Sequence, residues 1–196
     1  MNKVFIIGTS LGGLVAMGIN MLIPRTVAGV LLNDIGPELA NEGIQSLQIY
    51  LSKSREFDNW DQAACYLKGH FPYLGENSHR NWIGIVKGSY KIGQNGKIIQ
   101  NWDPRIYKAA KRVKLDDLNL WPIFRALRKT PLLLLRGEKS NILDENVFNK
   151  MREQNDDMRA AVIPDAGHAP TLLEPVSKKY FLDIINEVDS TYAERY

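Results

Sequence analysis

The stretch FIIGTSLGG, residues 5–13, places a serine between a predicted strand and a predicted helix. Residues 4–7 are continuously apolar and rich in β-branched and aromatic side chains, which is typical of a strand buried on both faces of a parallel sheet. From Leu11 to about Leu22 the apolar residues follow a helical period, and Pro24 stops the helix. Ser10 is therefore predicted to lie at a tight turn from strand to helix.

The turn itself matches the pattern G-x-S-x-G at residues 8–12. In such a turn the serine has strained backbone geometry at the carboxyl end of the strand. Gly8 and Gly12 are expected to be small because strand and helix crowd the turn, and Gly13 lets the helix lie close to the sheet. The Leu11 N–H, at the helix N-terminus, would face a developing oxyanion. The pattern also fits an ordinary glycine-rich turn or a phosphate cradle, although the chain lacks the Gly-Lys-Ser/Thr of a Walker loop.

Three further apolar runs predict strands at residues 27–32, 132–135 and 160–163. Helical patterns follow near residues 145–151 and 175–188. This alternation is typical of an α/β fold with about four mainly parallel strands and flanking helices. We place the α/β core at residues 1–36 and 130–196.

Residues 37–129 have a different character. They hold all four tryptophans, helix-like patterns at 43–52, 60–69 and 79–88, and a predicted turn at 94–96. A segment of this length is too long for a loop in a compact domain. We therefore predict an inserted helical subdomain.

A serine hydroxyl is a poor nucleophile at neutral pH and needs a base, which is usually an oriented histidine. Of the three histidines, only His168 lies in a loop that follows a predicted core strand. Because parallel strands end on one side of a sheet, this loop is expected to open at the same edge as Ser10. His168 is the predicted base, the alternative being a structural histidine.

Charge and composition narrow the classes of partner. The 25 Lys and Arg residues nearly balance the 22 Asp and Glu residues, and no clustered basic face suggests nucleic acid. Cys65 is the single cysteine and has no partners at metal-ligand spacing, which fits a reducing cytoplasm. No apolar run reaches the ~18–20 residues of a membrane span. We expect a soluble cytoplasmic protein that binds neither nucleic acid nor membrane.

Five stretches, in the order of the chain, resemble the α/β-hydrolase family and more closely its lid-bearing branch of serine hydrolases. They are GTSLGG, VLLNDIGPEL, NWDPRI, PLLLLRGEKSNIL and PDAGHAPTLLEP. The resemblance implies Ser10 as nucleophile and His168 as general base, in acyl-enzyme chemistry without a cofactor or a metal. It also implies that residues 37–129 form a helical lid over an apolar pocket. The substrate implied is a small apolar molecule with an ester, a lactone or a hydrolysable carbon–carbon bond.

The resemblance leaves open which acid orients His168. Family members usually carry it in the loop after the third core strand, where this chain has Asn141. An amide can hydrogen-bond the ring but cannot stabilise imidazolium, and the corresponding change in a serine protease costs ~10⁴ in turnover. Asp34, just after the second core strand, is the alternative acid, unless it only forms the turn toward Gly36. Asp144 is a further candidate.

In the family, four or more strands precede the nucleophile strand, so the resemblance covers only the C-terminal part of the fold. The strand from Val4 to Ile7 would then form an apolar sheet edge, and an unpaired edge is a template for association. We expect a homodimer, or a partner chain that pairs with this edge. The expected function is that of a serine hydrolase. The alternative is a truncated, catalytically weak remnant that serves as a binding or oligomeric interaction module.

Overall fold

The computed structural model describes residues 3–74, 79–112 and 119–193. Short 3₁₀ turns lie at Pro24–Thr26 and Ala126–Lys129. None of the helices in the described ranges combines the length and the apolar character that crossing a membrane requires. In chain order the main elements are β1 (Val4–Thr9), α1 (Leu11–Leu22), β2 (Val27–Asn33), α2 (Asn41–Ser52), β3 (Glu56–Phe57), α3 (Trp60–His70), α4 (His79–Ser89), β4 (Tyr90–Ile92), β5 (Ile98–Gln100), α5 (Arg105–Arg112), α6 (Trp121–Arg125), β6 (Leu132–Gly137), α7 (Glu145–Gln154), β7 (Arg159–Ile163) and α8 (Pro175–Ala193).

Strands β1, β2, β6 and β7 form one parallel sheet, in the order β1-β2-β6-β7. The central strands β2 and β6 are almost wholly buried, as their unbroken apolar sequences predict. The prediction of an α/β fold with four parallel strands and flanking helices is confirmed. Among the described strands, β1 has β2 as its one neighbour and lies at an edge of the sheet.

Side chains of the central strands point alternately into two separate cores. On one face, Leu32 packs in a cluster with Met17 of α1 and Phe148 of α7. On the other face, Leu31 packs in a cluster with Ile184 of α8. Helices therefore cover both faces of the sheet, and the carboxyl ends of all four strands meet at one edge.

The insertion is where the structure differs most from the sequence-based expectation. Helices α2, α3 and α4 occupy the predicted segments, but the segment also contains an antiparallel sheet in the order β3-β5-β4. The predicted turn is present between β4 and β5, where Gly96 has a φ of 75°. The insertion therefore contains this small sheet in addition to the predicted helices. Its strands are only two or three residues long, too short for an apolar period to reveal them.

The insertion has an aromatic core of its own. Tyr50 and Tyr90 are buried there, and their hydroxyl oxygens lie 2.8 Å apart. Burial, and then this hydrogen bond, raise the pKa of Tyr50. By contrast, Phe124 of α6 and Leu127 pack with α1 in the same cluster as Leu32, which we call the main core. The structure therefore places α6 with the α/β core, although we predicted the insertion to extend to residue 129.

Candidate active site

Ser10 lies at the turn between β1 and α1, and its backbone is strained. Its φ of 51° and ψ of −123° are uncommon for a residue other than glycine. The Ser10 N–H donates to Asn33 O at 3.2 Å, and Ser10 O accepts from the Gly13 N–H at 2.8 Å. These hydrogen bonds hold Ser10 half-buried at the carboxyl edge of the sheet.

Two glycines make this turn sterically possible. A Cβ on Gly8 would lie 2.6 Å from Gly12 O, and a Cβ on Gly13 would lie 2.3 Å from Ile35 Cγ2. Strand β1 and helix α1 therefore approach too closely for a side chain at Gly8, and α1 lies too close to Ile35, after β2, for a side chain at Gly13. Gly12 differs, because a Cβ there would meet no atom within 4 Å. Among the described residues nothing crowds this position, so our prediction for Gly12 is wrong.

Leu11 supplies a free backbone donor beside Ser10. It is the first residue of α1, so its N–H has no partner within the helix. The described part of the chain offers it no other hydrogen-bond acceptor. An unpaired N–H at a helix N-terminus is a donor for a negatively charged oxygen.

The structure brings Asp34 and His168 together, although Asp34 follows β2 and His168 follows β7. His168 Nδ1 lies 2.7 Å from Asp34 Oδ2. The Asp34 side chain is completely buried and that of His168 is 12% exposed, so the contact is largely shielded from water. When the neutral ring donates its Nδ1–H to this carboxylate, Nε2 is left to accept a proton.

Two further groups in the loop after β6 hold Asp34 in place. The Gly137 N–H donates to Asp34 Oδ1 at 2.8 Å, and the Ser140 hydroxyl donates to Asp34 Oδ2 at 2.5 Å. Ser140 Oγ itself accepts from the N–H groups of Ile142 and Leu143, at 3.2 and 3.1 Å. Its single proton is therefore available to Asp34. Sequence reasoning missed Ser140; its place beside Asn141, the usual acid position, was the signal that pointed to it.

Asn141 and Asp144 lie outside this hydrogen-bonded group. Asn141 is exposed, and within the described ranges its side chain makes no hydrogen bond to His168. Asp144 instead caps α7, accepting from the Asn146 N–H at 2.8 Å. Of the three acid candidates, Asp34 is the one that contacts the histidine.

Asn33 links the histidine loop to the end of β1. Its Nδ2 donates to Thr9 Oγ1 at 3.1 Å and to Pro170 O at 2.9 Å. Thr9 precedes Ser10 and Pro170 follows His168 by two positions, so the loop after β7 reaches back across the sheet. No hydrogen bond joins Ser10 Oγ to His168 among the described residues, and such bonds commonly tighten only when substrate binds. Sequence reasoning did not single out Asn33.

The histidine loop is also braced on its outer side. The Gly167 N–H donates to Tyr73 O of the insertion at 2.8 Å. Glu174 accepts from the Thr171 N–H at 2.7 Å and from the Ser177 hydroxyl at 2.7 Å. Burial raises the pKa of Glu174, but hydrogen bonds from Ser177 and Thr171 outweigh it and leave this pKa below its ordinary value. Within residues 3–74, 79–112 and 119–193, no cluster of three or more His, Cys, Asp or Glu side chains could hold a metal ion.

Comparison with known proteins gives similar sequences among hydrolases. No family model matches the chain. The chain is 28% identical over 181 residues to a 3-hydroxybutyrate-oligomer hydrolase of Cupriavidus necator, a match that covers 88% of this chain and 61% of that protein.

Solved structures resemble the whole described architecture. An α/β hydrolase from Novosphingobium aromaticivorans superimposes with a TM-score of 0.87 at 32% identity, covering 95% of this chain and 66% of that one. A putative hydrolase from Rickettsia typhi gives 0.82 at 26% identity, covering 95% of this chain and 63% of that one. The chain therefore spans about three fifths to two thirds of the length of these relatives.

Proposed function

Because the chain belongs to the α/β-hydrolase fold family, we propose that it is a serine hydrolase acting through Ser10, His168 and Asp34. Ser10 Oγ attacks the acyl carbonyl carbon while His168 Nε2 takes the hydroxyl proton. His168 then gives this proton to the leaving group, and a water molecule, activated by the same histidine, releases the acyl group from Ser10. The Leu11 N–H donates to the oxyanion that forms in each half of the reaction.

The contact between Asp34 and His168 is the observation that carries this proposal. A buried carboxylate on Nδ1 selects the tautomer in which Nε2 is the base, and it stabilises the imidazolium that forms. Asp34 accepts from Gly137 and Ser140 as well, so its position is defined by three donors.

We propose a small apolar ester as the substrate class, ahead of a lactone or a hydrolysable carbon–carbon bond. The Cupriavidus relative is named for hydrolysing 3-hydroxybutyrate oligomers, and hydroxy acids oligomerise through ester bonds. The insertion supports a lid role, because Tyr73 of the insertion accepts a hydrogen bond from Gly167, next to His168. The insertion would then form one wall of the substrate pocket.

A second candidate is a catalytically weak remnant that serves as a binding or oligomeric interaction module. One observation favours it: Ser10 Oγ and His168 make no hydrogen bond within the described ranges. Either function keeps the Asp34–His168 contact, so the two are separated by the reactivity of Ser10.

A fluorophosphonate probe tests that reactivity, since it phosphonylates a serine that an adjacent base has activated. We expect mass spectrometry to find one adduct, on Ser10, in the wild-type chain and in a Ser190→Ala control. The Ser190 hydroxyl is exposed and donates to Glu187 O, far from the site. The Ser10→Ala variant should stay unlabelled. Circular dichroism checks that the wild-type chain is folded. If the folded chain is not labelled at Ser10, the hydrolase proposal is contradicted and the interaction module is favoured.

A further inference from the structure

Asn33 is a polar side chain at the end of a buried apolar strand. It closes β2, whose sequence VAGVLLN is otherwise apolar, and it is 1% exposed. Its Oδ1 is buried and has no hydrogen-bond partner among the described residues. Burying an unpaired polar atom costs free energy, which an apolar side chain of similar size would avoid. The packing of β2 therefore does not explain why an amide stands at this position.

The other end of this amide joins the turn at Ser10 to the loop of His168. Asn33 Nδ2 donates to Thr9 Oγ1 at 3.1 Å and to Pro170 O at 2.9 Å. An amide nitrogen carries two protons, so it can make both bonds at once, whereas the amide oxygen could not pair with a carbonyl. The two acceptors therefore fix the orientation of the amide. On its backbone, Asn33 O accepts from the Ser10 N–H at 3.2 Å.

The Asp34 carboxylate does not make this connection. Its oxygens accept from two donors in the loop after β6 and from His168. None of these bonds reaches the turn at Ser10, and Ser10 Oγ makes no hydrogen bond to His168 among the described residues. Asp34 therefore orients the imidazole ring, but the distance of the ring from Ser10 depends on what holds the turn and the loop together. In the described part of the chain, Asn33 is the one residue with hydrogen bonds to both.

We propose that Asn33 is a positioning residue, which holds the loop of His168 at the distance from Ser10 that proton transfer requires. This inference rests on the proposed serine hydrolase function. The two side-chain bonds act close to the reacting groups, because Thr9 immediately precedes the nucleophile and Pro170 follows the base by two positions. A base must come within hydrogen-bond reach of the proton that it takes, and a displacement of about 1 Å can lower a rate about 100-fold. Asn33 bonds to groups beside the reacting atoms, so it acts through the turn and the loop.

The rate of Ser10 phosphonylation by a fluorophosphonate tests this role without a known substrate. Asn33→Leu removes both side-chain bonds at similar size and should slow labelling about 10- to 100-fold, because the loop is no longer tied to β2. Thr9→Val removes one bond at an exposed position and should slow labelling about 2- to 10-fold, the usual effect of one neutral hydrogen bond. Thr9→Ser keeps the hydroxyl and should recover the wild-type rate. The matched control Thr26→Val loses a hydroxyl bond to Ile23 O, before β2, and should be labelled as fast as the wild type.

Urea unfolding separates this role from a purely structural one. We expect labelling to slow in variants whose urea midpoint stays close to that of the wild type. The inference is overturned, while the hydrolase proposal stands, if folded Asn33→Leu or Thr9→Val is labelled as fast as the wild type. The same holds if Thr9→Ser is as slow as Thr9→Val, or if the rate falls only in step with the urea midpoint. A wild-type chain that is not labelled at Ser10 overturns both proposals. Should Asn33→Leu fail to fold, the two variants of the exposed Thr9 decide alone.

Discussion

Asp34 receives three hydrogen bonds from residues far away in the chain, from Gly137, Ser140 and His168. A buried carboxylate is stable only when its oxygens are paired, and these three donors meet that requirement. The fully paired state also fixes the rotamer of Asp34, and with it the ring of His168. At the scale of single residues, the site is organised around this carboxylate.

Ser140 is expected to act as a positioning residue for Asp34. In Ser140→Ala one donor to a buried carboxylate is lost, which typically costs about 1.5–3 kcal/mol. If that loss is expressed in the transition state, kcat for an activated ester falls about 10- to 100-fold while KM is unchanged. Ser140→Thr, which keeps the hydroxyl, should recover most of the rate. If Ser140→Thr loses as much activity as Ser140→Ala, and if KM changes along with kcat in both variants, then Ser140 only supports the fold.

Sequence reasoning reached some of these residues and not others, for a physical reason. Ser10 and His168 could be proposed because each follows an apolar strand in a recognisable local pattern. Ser140 and Asn33 could not, because their partners lie 106 and 137 positions away and local sequence does not show which loops meet. The choice between Asp34 and Asn141 stayed open for the same reason: it depends on where the loop after β7 folds back.

At the scale of elements, the contact between α1 and the segment that follows β2 depends on Gly13. A Cβ there would lie 2.3 Å from the side chain of Ile35, which is buried in the main core. Gly13→Ala should therefore lower the free energy of unfolding by about 1–3 kcal/mol, the usual range for overpacking. Urea unfolding followed by circular dichroism measures this change.

Gly12→Ala is the matched control, one residue away in the same helix turn. A Cβ there meets no atom within 4 Å, and alanine is favoured over glycine in a helix by about 0.5–1 kcal/mol. This variant should be as stable as the wild type or slightly more so. If both substitutions destabilise the protein equally, the close packing of α1 against Ile35 is not what requires Gly13.

The same scale shows which elements the sequence could predict. The four core strands were predicted from apolar runs, because strands buried on both faces need continuous apolar sequence. Strands β3, β4 and β5 were not, because they are short and partly exposed. Helix α6 begins with Trp-Pro and was included in the insertion by its aromatic content, yet its Phe124 packs in the main core.

For the whole molecule, the site is assembled from segments that lie far apart in the chain. Ser10 follows β1, Asp34 follows β2 and His168 follows β7, and these strands belong to one parallel sheet. The contact between Asp34 and His168 joins residues 134 positions apart, so it forms only when the whole sheet is folded. The reactivity of Ser10 therefore reports on the fold of the entire sheet as well as on the local turn.

The central claim is that Asp34, and not the residue at position 141, is the acid that orients His168. The most direct test is the rate of Ser10 phosphonylation by a fluorophosphonate in Asp34→Asn and in Asn141→Asp, each checked for unchanged folding. We predict a loss on the order of 10⁴-fold for Asp34→Asn, because the amide no longer stabilises imidazolium. Asn141→Asp should leave the rate close to that of the wild type. A large gain with Asn141→Asp, together with little change in Asp34→Asn, would contradict the account.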